Sequence, residues 1–293
     1  MVTDPGFALP RNATDCHVHI FDPAHFPYAA NRRYTPPPAN VDDLLRLHDR
    51  LGVQRAVLVQ PSVYGTDNRC MLAALKRLGA RARGVAVIDR SFTASQIEDL
   101  VDAGVRGVRL NLEVSKSADT SAANELLGRT ADQLAGSGLA IAVYASLRVI
   151  VACAALIRSL KQRVLIDHFG LVEAAAGTDQ PGFAELLSLM SAPNVFMKLS
   201  GPYQISSSVH EYVDITPIAQ AMLSAAPTRV VWGSDWPHTG GANRPADYKP
   251  TDVEPFRVED DGRNLGLVAA WAPDAALRAR LLTNNPAQLF GFR

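Results

Sequence analysis

Two histidines near the start of the chain, His17 and His19, are spaced to act together on one ligand. Side chains alternate between the two faces of a β-strand, so residues two apart point the same way. The neighbouring Val18, Ile20 and Phe21 are typical of a buried strand and favour this conformation. Two imidazoles on one face can bind a metal ion or donate hydrogen bonds to one oxygen atom, and the pair alone favours neither.

A short apolar strand followed by a helix recurs along the chain after this pair. Further strands are predicted at 55–60, 84–89, 104–110, 139–145, 164–168, 195–199 and 229–235. Helices are predicted after the caps Asn40 and Thr93 or Ser95, and at 68–78, 122–135, 147–160, 183–190, 215–224, 264–271 and 275–283. Strands that alternate with helices in this way indicate a parallel sheet buried on both faces.

This pattern predicts an α/β fold, a single (β/α)8 TIM barrel formed by residues 1–293 as one domain. The alternative is an open doubly wound sheet, but the first strand is not followed by the GxGxxG of its dinucleotide-binding version. The proline-rich segment 22–40 is predicted to be an irregular covering loop, and the sequence leaves open whether it is a mobile lid.

In such a barrel the active site lies at the carboxyl ends of the strands. The polar residues predicted there are His17, His19, Ser62, Arg109, Tyr144, His168, Ser200, Gln204 and Asp235. Taken singly, each has an ordinary structural explanation, such as a core histidine, a helix cap or a surface ion pair. Their conjunction at one end of the barrel favours a functional site. Three further histidines, His25, His48 and His210, are interpreted as solvent-facing or structural.

Composition excludes several classes of protein. The chain has 29 basic and 29 acidic residues without a basic run, which argues against nucleic-acid binding and favours a small neutral or anionic ligand. Neither a signal peptide nor an apolar run of membrane-spanning length is recognisable, which predicts a soluble cytoplasmic protein that does not bind membranes. Three cysteines without a CxxC spacing do not suggest a disulfide framework. The sequence does not indicate an oligomeric state.

Six segments together resemble the amidohydrolase superfamily, and within it the branch of the 2-pyrone-4,6-dicarboxylate lactonases. They are Thr14–Phe21, Phe26–Tyr28 with Tyr34–Pro36, Val59–Ser62 with Gly65–Asn68, Ala103–Asn111, Asp167–Gly170 and Trp232–His238. The resemblance covers nearly the whole chain. An HxH motif is a weak signal by itself, whereas HxH followed by Asp-His-Phe-Gly and Gly-Ser-Asp-Trp-Pro-His is specific.

The resemblance implies a distorted (β/α)8 barrel that hydrolyses a small anionic lactone or pyrone without a metal cofactor. Asp235 would be the general base that deprotonates the attacking water, and the imidazoles of His17, His19 and His168 would polarise the carbonyl oxygen. The residues expected to bind the substrate are Arg109, Tyr144, Ser62, Gln204 and His238.

Three questions remain open on the sequence alone. A single Zn²⁺ could be held by His17, His19, His168 and Asp235, in a hydrolase, hydratase or decarboxylase. A non-catalytic ligand-binding barrel is the alternative from another class. Ser115 and Gln204 stand where arginines of the dicarboxylate lactonases are expected, which predicts a substrate with fewer or differently placed anionic groups, held by Arg109.

Overall fold

The structure is a computed structural model that describes residues 2–112, 120–208, 211–240 and 247–293. Within these residues, eight parallel strands pair in the order of the sequence. They are β1 (Thr14–Val18), β2 (Arg55–Val59), β3 (Ala82–Ala86), β4 (Val105–Asn111), β5 (Ala140–Tyr144), β6 (Val164–Ile166), β7 (Val195–Ser200) and β8 (Val230–Gly233). Strictly sequential parallel pairing is the topology of a (β/α)8 barrel.

The barrel closes just beyond the ends of β1 and β8. The backbone N–H of Asp235 donates to the carbonyl of His17 at 2.9 Å, and the N–H of His19 donates to the carbonyl of Trp236, also at 2.9 Å. These hydrogen bonds join the first and last strands beside the predicted site residues His17, His19 and Asp235. The predicted TIM barrel is confirmed.

Helices connect consecutive strands and surround the barrel. In the described part of the chain they are α1 (Val41–Leu51), α2 (Arg69–Leu78), α3 (Ala94–Asp102), α4 (Ser121–Gln133), α5 (Leu147–Ala152), α6 (Ala154–Ser159), α7 (Phe183–Met190), α8 (Thr216–Ala225), α9 (Asp261–Trp271), α10 (Ala275–Ala279) and α11 (Asn285–Phe290). Across the residues that can be described, none of these helices is long and apolar enough to span a membrane.

The helix ends follow local sequence signals. Asn40 caps α1 by accepting from the N–H groups of Asp42 and Asp43, and the Asp43 side chain bonds back to the cap, which is a capping box. Gly52 ends α1 in the left-handed region, with a φ of 77°. The helix predicted at 147–160 is divided at Cys153, whose φ of −91° and ψ of 0° interrupt the helical backbone.

The barrel interior is layered, because side chains two residues apart on a strand face the same way. The inner apolar cluster includes Val57, Val59, Leu165, Phe196 and Val231, together with the C-terminal Leu289, Phe290 and Phe292. Two residues further along their strands, Asp167 follows Leu165 and Lys198 follows Phe196. Closer to the carboxyl ends of the strands, the barrel interior therefore contains buried charged side chains above the apolar layer.

Candidate active site

Three histidines and one aspartate meet at the carboxyl ends of β1, β6 and β8. His17 Nε2 lies 3.3 Å from His19 Nε2. The Asp235 Oδ1 atom is 3.5 Å from His17 Nε2 and 3.6 Å from His19 Nε2. His168 Nδ1 lies 4.0 Å from Asp235 Oδ2, and its ring centroid lies 4.6 Å from that of His17. The four residues are all at most 4% exposed, so they form one buried cluster.

Asp235 follows β8 in a left-handed turn with a φ of 66°. Its Oδ2 atom accepts hydrogen bonds from the Tyr203 hydroxyl at 2.6 Å and from Gln204 Nε2 at 2.8 Å. Burial alone would raise the pKa of Asp235, but the neighbouring His168, His19 and Tyr203 outweigh it and lower the pKa below its usual value. The carboxyl group is therefore ionised at neutral pH and has its second oxygen facing the histidines.

His17 contacts a buried ion pair formed by Lys198 and Asp167. Lys198 Nζ lies 3.1 Å from His17 Nδ1 and 2.8 Å from Asp167 Oδ1, and Lys198, Asp167 and His17 are all 0% exposed. Burial, followed by the charge of Lys198, lowers the pKa of His17 well below its usual value. His17 is thus a neutral imidazole that lies behind the other members of the cluster.

His19 and His168 are oriented by neighbouring strands. His19 Nδ1 lies 2.7 Å from the carbonyl oxygen of Val59 at the end of β2, so Nδ1 carries the proton and donates it. His168 Nδ1 lies 2.9 Å from the hydroxyl of Ser200 on β7. Burial lowers the pKa of His168, which keeps this imidazole neutral at neutral pH.

A pocket of about 470 Å³ opens above the cluster. It is lined by His19, Tyr34, Pro61, Ser62, Arg109, Asn111, Tyr144, His168, Leu171, Tyr203, Gln204, Asp235, Thr239, Gly240 and Arg257. This volume falls in the range of small-molecule sites, about 300–1,000 Å³. Ser62, Arg109, Tyr144 and Gln204, all predicted as substrate-binding residues, lie on its wall.

Two arginines bring positive charge to the pocket. The Arg109 guanidinium carbon lies 5.4 Å from the centre of the Tyr144 ring, and that of Arg257 lies 4.7 Å from the centre of the Tyr203 ring. Among the described residues, Asp167 Oδ2 lies 4.0 Å from Arg109 Nε, and Glu259 Oε1 lies 3.6 Å from Arg257 Nε. Both distances are longer than a good hydrogen bond, so both guanidinium groups can donate hydrogen bonds to an anionic ligand.

Other predicted residues are placed elsewhere. His238 is buried behind Tyr203, with its Nε2 at 3.0 Å from Asp261 Oδ1, and this acid outweighs burial to raise the pKa of His238. His48 is buried and lies 3.4 Å from Asp15 Oδ2, a structural contact, whereas His25 is exposed. Ser115 and His210 lie outside the described residues.

The structure adds four residues that the sequence did not single out as functional, namely Tyr34, Lys198, Tyr203 and Arg257. Lys198 could have been recognised from the sequence, because it interrupts the apolar run of β7 at a position that faces the barrel interior. Tyr203 stands next to Gln204 in the turn after β7. Arg257 belongs to an irregular segment after β8 whose path has no local sequence signature.

A metal ion is the other possible use of the cluster. His17, His168 and Asp235 each place a potential ligand atom within 4.8 Å of the others. A histidine that binds a metal normally donates its second N–H to a carboxylate, a carbonyl or water. His17 instead faces the ammonium of Lys198, which has hydrogens to donate and no lone pair. The surroundings of His17 therefore do not fit a metal ligand.

Comparison with known proteins identifies the family of this chain. The family profile described as Amidohydrolase matches residues 14–292. The 4-sulfomuconolactone hydrolase of Rhizobium radiobacter is 40% identical over 289 residues, which cover 97% of this chain and 92% of that protein. The 2-pyrone-4,6-dicarboxylate hydrolase of Comamonas testosteroni is 35% identical over 296 residues, covering 98% and 92%.

Solved structures give the same result. A Pseudomonas putida protein provisionally assigned as a 2-pyrone-4,6-dicarboxylic acid hydrolase superposes with a TM-score of 0.77 at 32% identity, covering 97% of this chain and 99% of that one. A protein of Acinetobacter baumannii with the same provisional assignment, solved with citric acid bound, gives a TM-score of 0.75 at 26% identity, covering 96% and 100%. With a family match over nearly its full length and relatives of this similarity, the chain belongs to the amidohydrolase family.

Proposed function

We propose that this protein is a lactonase that opens a small anionic lactone or pyrone by attack of water, without a metal ion. The observation that carries the proposal is an ionised aspartate, Asp235, beside three imidazoles on the floor of a pocket with two arginines in its wall. The named activities of the two relatives above, a sulfomuconolactone hydrolase and a pyrone dicarboxylate hydrolase, support the same reaction type.

Asp235 Oδ1 is placed to hold the attacking water. It lies 3.5 Å from His17 Nε2 and 3.6 Å from His19 Nε2, and as a carboxylate oxygen it has more than one lone pair. A water that approaches from the pocket can donate one hydrogen to this oxygen. Asp235 then takes the proton as the water oxygen bonds to the carbonyl carbon of the lactone. When the ring C–O bond breaks, this proton passes to the departing ring oxygen, and the product is a hydroxy acid or its keto tautomer.

The carbonyl oxygen needs donors on the opposite side of the carbon. His168 Nδ1 lies 2.9 Å from the Ser200 hydroxyl and 3.3 Å from the Ser200 carbonyl oxygen, and we assign the shorter contact as a hydrogen bond donated by the hydroxyl, which leaves an N–H on Nε2 of this pocket-lining imidazole. Arg109 and Tyr144 lie on the same side of the pocket, since the ring centroids of Tyr144 and His168 are 5.7 Å apart. Removing one such donor typically costs about 2.7–4 kcal/mol of transition-state stabilisation. Polarisation of the carbonyl is therefore assigned mainly to His168.

The substrate is proposed to carry two anionic groups. Arg109 comes from β4 and Arg257 from the segment that follows β8, and these strands lie on opposite sides of an eight-stranded barrel. Each guanidinium packs on a tyrosine ring, which fixes its plane for bidentate contact with a carboxylate or sulfonate. The sequence predicted Arg109 as the one residue that holds an anionic group, and we propose that Arg257 is a second.

Hydrolysis of a panel of lactones tests this function. Lactones with no, one and two anionic groups are assayed with the wild-type enzyme and with Arg109→Met and Arg257→Met, which keep most of the aliphatic stem. Each variant should raise KM at least about ten-fold for the dianionic compound, the equivalent of about 1.4 kcal/mol, and have little effect on the neutral one.

The matched control is Arg46→Met, because Arg46 is an exposed arginine paired with Asp43 on the surface of α1. It should behave as wild type. Binding of the lactones without any ring opening would instead favour the non-catalytic barrel. Loss of activity on chelation, with recovery on adding Zn²⁺, would contradict the metal-independent mechanism.

A further inference from the structure

A lysine in the middle of the barrel requires an explanation. Lys198 lies on β7 between Met197 and Leu199, is 0% exposed, and does not reach the pocket lining formed by the described residues. Burying an ammonium group is costly unless it is paired and hydrogen-bonded. Two partners meet this requirement here, the Asp167 carboxylate at 2.8 Å and His17 Nδ1 at 3.1 Å.

The two contacts determine which nitrogen of His17 carries the proton. An ammonium paired with a carboxylate can only donate, so His17 Nδ1 must accept. A neutral imidazole has one N–H, which is then on Nε2. Nε2 points at His19 Nε2, 3.3 Å away, and at Asp235 Oδ1, 3.5 Å away. Both of these atoms are acceptors, because the N–H of His19 is committed to Val59 through Nδ1.

We propose that Lys198 is a positioning residue that fixes the Nε2–H tautomer of His17 and thereby orders the hydrogen bonds of the catalytic cluster. The bonds run in one direction, from Lys198 to His17, from His17 to His19, and from His19 to the carbonyl of Val59, with Asp235 Oδ1 3.5 Å from the same His17 Nε2. The His17 N–H thus occupies the place that a cation shared by the cluster would take.

This order has a consequence for the reaction. With the opposite tautomer, three lone pairs, on His17 Nε2, His19 Nε2 and Asp235 Oδ1, would face one another without a hydrogen between them. Such a cluster is stabilised only by an added proton or a metal ion. Lys198 therefore leaves the lone pairs of Asp235 Oδ1 available for the attacking water. This last role depends on the proposed lactonase activity, whereas the tautomer itself can be measured without substrate.

The first test is a nitrogen-15 NMR spectrum of the wild-type protein labelled at histidine. Long-range proton–nitrogen correlations distinguish the two tautomers of a neutral imidazole, and a His17→Gln sample assigns the His17 signals among the seven histidines. We expect an Nε2–H signature for His17 and an Nδ1–H signature for His19. An Nδ1–H signature for His17 would overturn the proposal whatever the activity of the enzyme.

The second test compares the wild type with Lys198→Met and with Lys198→Met/Asp167→Asn. Both variants remove the ammonium beside His17, and the double variant leaves no unpaired buried carboxylate. We expect the Nε2–H signature to be lost in both. Calorimetric titration with Zn²⁺ should show tighter binding, by at least about ten-fold (about 1.4 kcal/mol), to Lys198→Met than to the wild type.

The same spectra distinguish this role from general damage to the fold. Retention of the Nε2–H tautomer in both variants would show that Lys198 does not fix it. If Lys198→Met fails to fold, the spectrum of the wild type still decides the first point. A failed lactone assay with the expected spectra would contradict the proposed function alone.

Discussion

Asp235 is the residue on which the proposed chemistry depends most directly. Its two oxygens have different surroundings, since Oδ2 accepts from Tyr203 and Gln204 while Oδ1 faces His17 and His19. Donors on one side fix the plane of the carboxylate, and the other oxygen is directed at the position proposed for water. The lowered pKa of Asp235 keeps this oxygen able to accept a hydrogen bond throughout the neutral range.

Asp235→Asn should abolish most turnover and leave binding largely intact, because the amide has nearly the same shape but cannot take the proton. General base catalysis contributes roughly 10²–10⁴-fold, so kcat is expected to fall by at least about 100-fold. Steady-state kinetics give kcat, and calorimetry with the lactone gives the affinity of the variant.

Tyr203→Phe serves as the comparison, because it removes one donor to Oδ2 and keeps the carboxylate. A hydrogen bond to a charged group contributes about 1.5–3 kcal/mol. The decrease in kcat of Tyr203→Phe should therefore be smaller than that of Asp235→Asn. If Asp235→Asn turned over lactone at the wild-type rate, Asp235 would not be the base.

At the scale of elements, the turn after β7 must pass very close to the cluster. Gly201 has a φ of 58°, and a Cβ atom at this position would lie 2.8 Å from Asp235 Oδ2, 3.0 Å from Gln204 Nε2 and 3.2 Å from His168 Nδ1. Only glycine leaves this space free. Glycine at position 201 thus allows the backbone after β7 to pass next to Asp235 and His168.

Gly201→Ala is therefore expected to displace Asp235 and to reduce kcat at least about ten-fold, since small misplacements of catalytic groups have large effects on rate. A matched control is Gly52→Ala, whose φ of 77° is in the same left-handed region and whose Cβ would meet nothing within 4 Å. Both variants should lose about 1–2 kcal/mol of folding free energy through backbone strain. Equal activity of the two in a lactone assay, at equal concentrations of folded protein, would contradict this role for Gly201.

Elements with local signals could be predicted from the sequence, and elements shaped by tertiary packing could not. The capping box at Asn40 and the glycine at position 52 define α1 without reference to the rest of the chain. By contrast, β6 stops at Ile166 instead of continuing to His168, because His168 and Phe169 adopt φ values of 50° and 55°. That turn is stabilised by contacts with β7 and not by residue preference, since such angles are unfavourable for both.

At the scale of the whole molecule, the repeated strand and helix pattern was enough to predict the barrel and hence which residues converge. His17, His168 and Asp235 are far apart in sequence, and sequential parallel pairing alone brings their strand ends together. Arg257 could not be located in this way. Arg257 reaches the pocket from an irregular segment. The position of this segment depends on contacts such as the hydrogen bond from the backbone N–H of Arg257 to the carbonyl of His238.

The His238–Asp261 pair joins the turn after β8 to the first residue of α9, and it should make stability depend on pH. Asp261 raises the pKa of the buried His238 above the unfolded value of about 6.5. The folded protein therefore holds this proton at pH values where the unfolded chain has lost it. The contribution of the pair is complete below about pH 6.5 and disappears as the pH rises through the folded pKa.

The double variant His238→Gln/Asp261→Asn removes both titrating groups without leaving an unpaired buried charge. Urea unfolding of wild type and variant across a pH series should give a stability difference that is largest below about pH 6 and decreases toward alkaline pH. His17 and His168, whose lowered pKa values make both proteins less stable as the pH falls below about 6.5, cancel in this difference. A difference that stays constant with pH, or increases toward alkaline pH, would mean that Asp261 does not hold the proton on His238 in the folded protein.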